Sequence, residues 1–227
     1  MAHLFVEPET DVQVWGLQVA MLGESLRAAF ARIISDTERE RAARIRLDSD
    51  RITFVAAHAL KRLQLSYLTG IAPQQLALRY GPTGKPYVDA GIHEDLHFSI
   101  SHTNGFVAAA AAIGYEIGID VEACNRRADT MKIARRHFLA REIVELRKLR
   151  GRARREHFFA LWTLKEALLK ATGSGLRTPM SAVDARVSPP HVKSRYAKIG
   201  LGWQAKTFRP TPHHVVAMVL RPSMKTT

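Results

Sequence analysis

Apolar residues recur along this chain at two periods, and the switches between them outline its elements. From about Asp50 to a stop at Gly70 they return every three or four residues, which predicts a helix; Ser35-Asp36-Thr37-Glu38 has the form of a capping box opening an earlier one. Leu76 to Tyr80 reads as a short strand and Gly81-Pro82-Thr83-Gly84 as a turn, while Phe98 to Ile113 reads as two strands broken at His102 to Gly105. A strand at Glu116 to Glu122 follows, then basic helices from about Met131 and a long helix near Arg155 to Thr172 that ends at Gly173. Gly200 to Phe208 and His214 to Leu220 close the chain as strands, and the stretch after Gly175, with Pro189-Pro190 and Lys193 to Lys198, shows no clear period.

The order of elements repeats. An offset of 104 aligns Val12 to Gln18 with Glu116 to Glu122, and the same offset aligns Phe54, Ala56, Leu60 and Lys61 with Phe158, Ala160, Leu164 and Lys165. Two similar α/β halves joined near Ile113 to Glu116 are therefore expected. Where the second half has Asp120, Glu122 and Glu166, the first has Gly16, Gln18 and Arg62, so the acids belong to one half only. An asymmetric site at the junction of duplicated halves would require this.

Those acids pose a problem. In a strand, Ile117, Ile119 and Val121 face one way and Gly118, Asp120 and Glu122 the other, so two carboxylates share a face and repel each other unless a cation lies between them. Trp162, Glu166 and Lys170 fall four apart on one side of the long helix. If helix and strand meet, three carboxylates converge beside a lysine, an arrangement suited to magnesium and phosphate.

Composition narrows the partners. The 227 residues are 46% hydrophobic, enough for an ordinary globular core rather than a disordered chain. The formal charge of +13 favours an anionic partner: nucleic acid, acidic lipid, a phosphorylated small molecule or an acidic protein. A lone Cys124 rules out an intramolecular disulfide and fits a reducing, cytoplasmic compartment. Met1 to Val12 carries Glu7, Glu9 and Asp11 with no long apolar run, so neither a signal peptide nor a membrane span is expected. A nucleic-acid-binding protein is the alternative that the charge suggests. It lacks an aromatic RNA-binding motif or zinc-finger spacing, and an acidic strand would repel a phosphate backbone.

Four motifs in order, Gly84-Lys85-Pro86, Phe98-Ser99-Ile100-Ser101-His102, Gly118-Ile119-Asp120-Val121-Glu122 and Trp162-Thr163-Leu164-Lys165-Glu166-Ala167 with Lys170, resemble those of the 4′-phosphopantetheinyl transferases of the monomeric, two-half type. The resemblance implies an α+β fold: two similar halves, residues 1–114 and 115–227, related by a pseudo-twofold axis, each with a small, mostly antiparallel sheet packed on helices. It also implies Mg²⁺-dependent transfer of the phosphopantetheine arm of coenzyme A to a serine of an apo acyl or peptidyl carrier protein, releasing adenosine 3′,5′-bisphosphate. The working unit would be a soluble monomer, with no membrane or nucleic-acid partner.

Asp120, Glu122 and Glu166 would hold the magnesium, and Glu166 is the candidate general base, with metal-bound water oriented by Asp120 as its rival. Lys170 would meet charge on the leaving phosphate. The resemblance places Lys85, Ser101, His102 and Arg41 on coenzyme A, in the first half, although Arg44, Arg39, Arg46 and Arg51 compete with Arg41 for the 3′-phosphate. Lys165 lies near the apolar stripe of Phe158, Leu161, Leu164 and Leu168, so its stem is expected to pack while its head reaches out. Cys124, Trp15, Trp203 and His213-His214 carry no evident chemistry. Arg135-Arg136 and the Arg147 to Arg155 cluster form a basic surface that would steer a carrier protein with acidic helices.

Overall fold

The computed structural model describes residues 4–6, 12–89, 95–194, 196 and 199–223; Glu7, Glu9, Asp11 and Lys198 lie outside the described residues. The chain divides into two compact units, Met1–Glu116 with Pro222–Thr227, and Ile117–Arg221.

In the first unit, β1 (Leu4–Val6) and β2 (Val12–Gln18) join β5 (Leu96–Thr103) and β6 (Phe106–Ile113) in an antiparallel sheet of order β1-β2-β6-β5. Three helices accompany it: α1 (Glu24–Ile33), α2 (Asp36–Ala43) and α3 (Asp48–Thr69); β3 (Leu78–Tyr80) and β4 (Pro86–Val88) form a separate hairpin. Central β6 is buried from Phe106 to Ala112, and its run of alanines lets α3 lie close. Buried Gln64 of α3 caps this contact, donating to the carbonyls of Gln13 and Ala109 at 3.1 and 3.3 Å. Helix α3 stops where Gly70 adopts φ 71°, a left-handed C-cap that glycine enters without penalty.

The second unit repeats this plan. Strand β7 (Tyr115–Ala123) is followed by α4 (Thr130–His137), α5 (Ala140–Lys148), α6 (Gly151–Ala171), the hairpin β8 (Val183–Arg186) and β9 (His191–Ser194), then β10 (Gln204–Thr211) and β11 (His214–Pro222). The sheet order β10-β11-β7 matches β5-β6-β2 of the first unit. The hairpins correspond too, so the duplication reaches beyond the two segments in which sequence showed it.

A buried ion pair marks the repeat. In the first unit, the Ser35 hydroxyl and Glu38 carboxylate complete the expected capping box, and Glu38 then receives Lys61 Nζ at 2.6 Å, Arg62 Nε at 2.6 Å and the His58 ring at 2.9 Å. In the second, 104 residues on, Glu142 accepts from the Leu139 amide and pairs with Lys165 at 2.9 Å, both side chains fully buried. Lys165 also donates to the carbonyls of Met180, at 3.2 Å, and Val183. The expectation that its head reaches out is therefore wrong: a buried carboxylate and two carbonyls satisfy the ammonium inside, and periodicity on one helix cannot reveal a partner on another.

Burial opposes ionisation of Glu38, but the His58 hydrogen bond, Lys61 and Arg62 outweigh it and hold the carboxyl far below the ordinary range. A depressed folded-state value contributes stability above the unfolded carboxyl value, about 4.3, that is lost as pH falls below it. In urea unfolding from pH 4 to 2, Glu38→Gln is expected to be less stable and to lose up to about 1.4 kcal/mol per pH unit less than the parent. Parallel pH slopes would contradict this role.

Two sequence expectations shift. The chain turns at Asn104–Gly105, leaving His102 within β5, paired with Val107, rather than in a break. The long helix begins at Gly151, so the Arg152 to Arg155 cluster forms its first turn. Helix α1, strand β1 and the β8–β9 hairpin had no expectation attached. Among the described residues, no helix is long and apolar enough to cross a membrane.

Candidate active site

Strand β7 buries Ile117, Ile119 and Val121 completely, as the alternation requires. Its other face meets α6. A Cβ added to Gly118 would lie 2.0 Å from the carbonyl oxygen of Ala167 and 2.5 Å from the amide nitrogen of Ala171, so the absent side chain is what lets the helix backbone touch the strand. Ala167 and Ala171, one turn apart, line that contact; Glu166 and Lys170 immediately precede them, next to the strand positions of Asp120 and Glu122. Gly118→Ala is expected to destabilise the fold by about 1–3 kcal/mol through overpacking and to separate the acids. Wild-type melting and wild-type transfer together would refute this account.

Lys170 Nζ donates to Asp120 Oδ1 at 2.7 Å, with Asp120 buried and Lys170 one-third exposed. The lysine thus pairs across elements with the strand acid, not along its own helix with Glu166. Arg126 approaches Glu122 at 3.7 Å while its guanidinium covers the Phe159 ring. Arg126 was not among the residues that the sequence singled out. Burial and the charge of Asp120 push the Glu122 carboxyl up to about 7, against Arg126 and Lys170, with Glu166 adding to the rise. The same burial and the same Asp120 raise Glu166, against Lys170. The three carboxylates therefore crowd one another.

Their fit to a hard cation can be judged from the donors. Glu122 Oε2 is buried with no hydrogen-bond partner, and the Glu166 carboxylate makes no hydrogen bond among the described residues. Oxygen donors with unspent lone pairs and excess negative charge suit Mg²⁺. Among the described residues, no group of three or more His, Cys, Asp or Glu is already closed around an ion position. Magnesium characteristically keeps waters and binds substrate phosphates with only one or two carboxylates, so a pre-closed cage is not required.

The remaining sequence candidates lie in the first unit. Lys85 follows Gly84 (φ 82°) in the β3–β4 turn, and burial lowers its pKa, with Glu116 opposing. Ser101 is buried and His102 exposed near the end of β5. Arg41 is exposed on α2 with its guanidinium 5.7 Å from the centre of Phe54, whose ring lies 4.1 Å from that of His58. Arg39 is turned away to Asp36 and the Ile34 carbonyl, and Arg51 pairs with Asp48. Cys124 is buried in the core of the second unit, its amide bonded to the His213 carbonyl.

Comparison with known proteins adds an independent line. Residues 116–219 match the family model for the 4′-phosphopantetheinyl transferase superfamily, and residues 24–114 match that for the 4′-phosphopantetheinyl transferase N-terminal domain. The chain is 30% identical over 216 residues to the 4′-phosphopantetheinyl transferase HetI of Nostoc sp., covering 86% of this chain and 91% of that protein. It is 26% identical over 166 residues to the 4′-phosphopantetheinyl transferase Sfp of Bacillus subtilis, covering 73% and 72%. A crystal structure of a holo-(acyl-carrier-protein) synthase from Bacillus anthracis in complex with CoA matches at 20% identity and a TM-score of 0.38, over 49% of this chain and 97% of that one.

Proposed function

Since the chain belongs to the 4′-phosphopantetheinyl transferases, we propose that Asp120, Glu122, Glu166 and Lys170 carry its transfer of the phosphopantetheine arm of coenzyme A to a serine of an apo acyl or peptidyl carrier protein. The observation that carries this assignment is the Lys170–Asp120 ion pair set beside Glu122 and Glu166, both raised by burial and the charge of Asp120, where Gly118 admits α6.

The reaction forms a bond between the serine oxygen and the phosphorus bearing the pantetheine arm, and breaks that phosphorus's bond to the bridging pyrophosphate oxygen. Adenosine 3′,5′-bisphosphate leaves. The serine proton passes to Glu166, directly or through a water oriented by Asp120. Lys170, one-third exposed, meets the charge that develops on the leaving phosphate. Mg²⁺, held by Asp120, Glu122 and Glu166, would neutralise the pyrophosphate. Lys85, Ser101, His102 and Arg41, in residues 1–114, are assigned to coenzyme A on their motifs; residues 115–227 supply the acids.

Incubation with coenzyme A, Mg²⁺ and an apo carrier protein should add the mass of phosphopantetheine to the carrier serine. Asp120→Ala should abolish that shift while the protein stays folded; retained transfer would overturn the assignment.

The carrier approaches a strongly basic face in this reading. Arg135, Arg136, Arg147, Lys148, Arg150 and Arg152 are exposed on or beside α4 to α6, whereas Arg154 donates to the Leu149 carbonyl and Arg155 is half-buried. Arg147→Ala with Arg150→Ala and Arg152→Ala should weaken the dependence of rate on carrier concentration at low salt. An unchanged dependence would remove these residues from the docking surface.

A further inference from the structure

A cavity of about 360 Å³ opens in the first unit between α1, α2 and the start of α3, and no residue assigned to the transfer lines it. Its wall is apolar, built from Leu22, Phe30, Ile34, Ile52, Val55 and alanines, and three arginines, Arg27, Arg39 and Arg51, complete it. Arg39 and Arg51 are paired with Asp36 and Asp48. Exposed Arg27 spends its Nε on the Leu22 carbonyl at 2.9 Å and has no carboxylate partner among the described residues. An apolar chamber with a few convergent polar groups, in the size range of small-molecule sites, is the usual form of a ligand pocket.

The repeat shows what this chamber lacks. At the offset of 104, Ala42 corresponds to Leu146 and Val55 to Phe159, and both larger side chains are fully buried in the second unit's core. The first unit carries smaller residues at both of these positions, and both line the cavity together with the three arginines.

We propose that this cavity binds a single-chain amphiphile with an anionic head, an alkyl carboxylate whose tail fills the chamber and whose carboxylate meets Arg27. At roughly 30 Å³ per heavy atom, the share of one water in the liquid, the chamber has room for about a dozen such atoms, enough for a medium-length chain. Arg27 is the guanidinium with free terminal N–H groups for a bidentate contact.

Octanoate, titrated into the full chain and followed by amide NMR shifts, should bind saturably at one site, with shifts concentrated in α1 to α3. Neutral 1-octanol should bind up to about 5-fold more weakly, since a contact with an exposed guanidinium is worth roughly 0.2–1 kcal/mol. Arg27→Gln should erase that difference. Ala42→Leu with Val55→Phe, which copies the filled second half, should abolish octanoate binding in a protein that still melts cooperatively. Non-saturable binding, equal affinity for octanol and octanoate, or unchanged octanoate binding in the folded, filled variant would each overturn the proposal. If the filled variant does not fold, the octanoate–octanol comparison and Arg27→Gln decide it alone.

Discussion

Transfer by Glu166→Gln is expected to be about 10²–10⁴-fold slower than by the parent, the range for a lost general base. Glutamine keeps the length and volume of glutamate but neither ionises nor takes up the serine proton. The same change relieves repulsion, because Asp120 and burial already work against a charge on Glu166. Its melting temperature should therefore equal or exceed the parent's, the signature of a residue kept for activity rather than stability. Lys170→Met should behave oppositely. It strands Asp120, bonded to Lys170 at 2.7 Å, among like charges, so transfer and melting temperature should fall together. Carrier mass shift against time and thermal unfolding of both variants separate the roles. A Gln variant that loses stability in step with activity would make Glu166 a structural residue.

The second large effect concerns Lys165. Its pair with Glu142 is fully buried, and removing one partner of such a pair typically costs about 3–5 kcal/mol. For a chain of this size that corresponds to a melting shift of roughly 6–20 °C. Lys165→Met should show it, and adding Glu142→Leu should restore part of the loss, because the two changes together leave no unpaired charge behind, although the Leu139 and Ala185 amides lose their acceptor. Lys61→Met in the first unit should cost less, since Glu38 keeps Arg62 and His58. Equal losses at Lys61 and Lys165 would mean that the extra cations of the first unit do not compensate.

Much of this was legible in the chain. The acid positions announced themselves through a two-residue period that no solvated strand needs, and the offset of 104 pointed to halves whose strands prove to share one order. Helix α3 carried both its terminator and its stripe. Other features were hidden for definite reasons. The inward turn of Lys165 depends on Glu142, which lies 23 residues earlier, and on carbonyls of Met180 and Val183 beyond the helix end, so no local pattern encodes it. The turn after β5 was misplaced because His102 interrupts an apolar run without breaking the strand; backbone pairing to Val107 is indifferent to side-chain polarity. The β8–β9 hairpin is too short, four residues a strand, for alternation to rise above chance. Arg126 escaped notice because its charge reads as ordinary surface until Glu122 is placed beside it.

The paired capping glutamates also bear on how the chain acquires its structure. Glu38 and Lys61 are 23 residues apart, as are Glu142 and Lys165, so each contact closes a short loop between neighbouring helices at modest entropic cost. The sheet of the first unit must instead bring Val12 to Ala112, a far more distant encounter. Contacts near in sequence form faster than remote ones. Each half can thus assemble its helical hairpin on its own schedule, two parallel nucleation events in one chain, with the long-range strand pairings following.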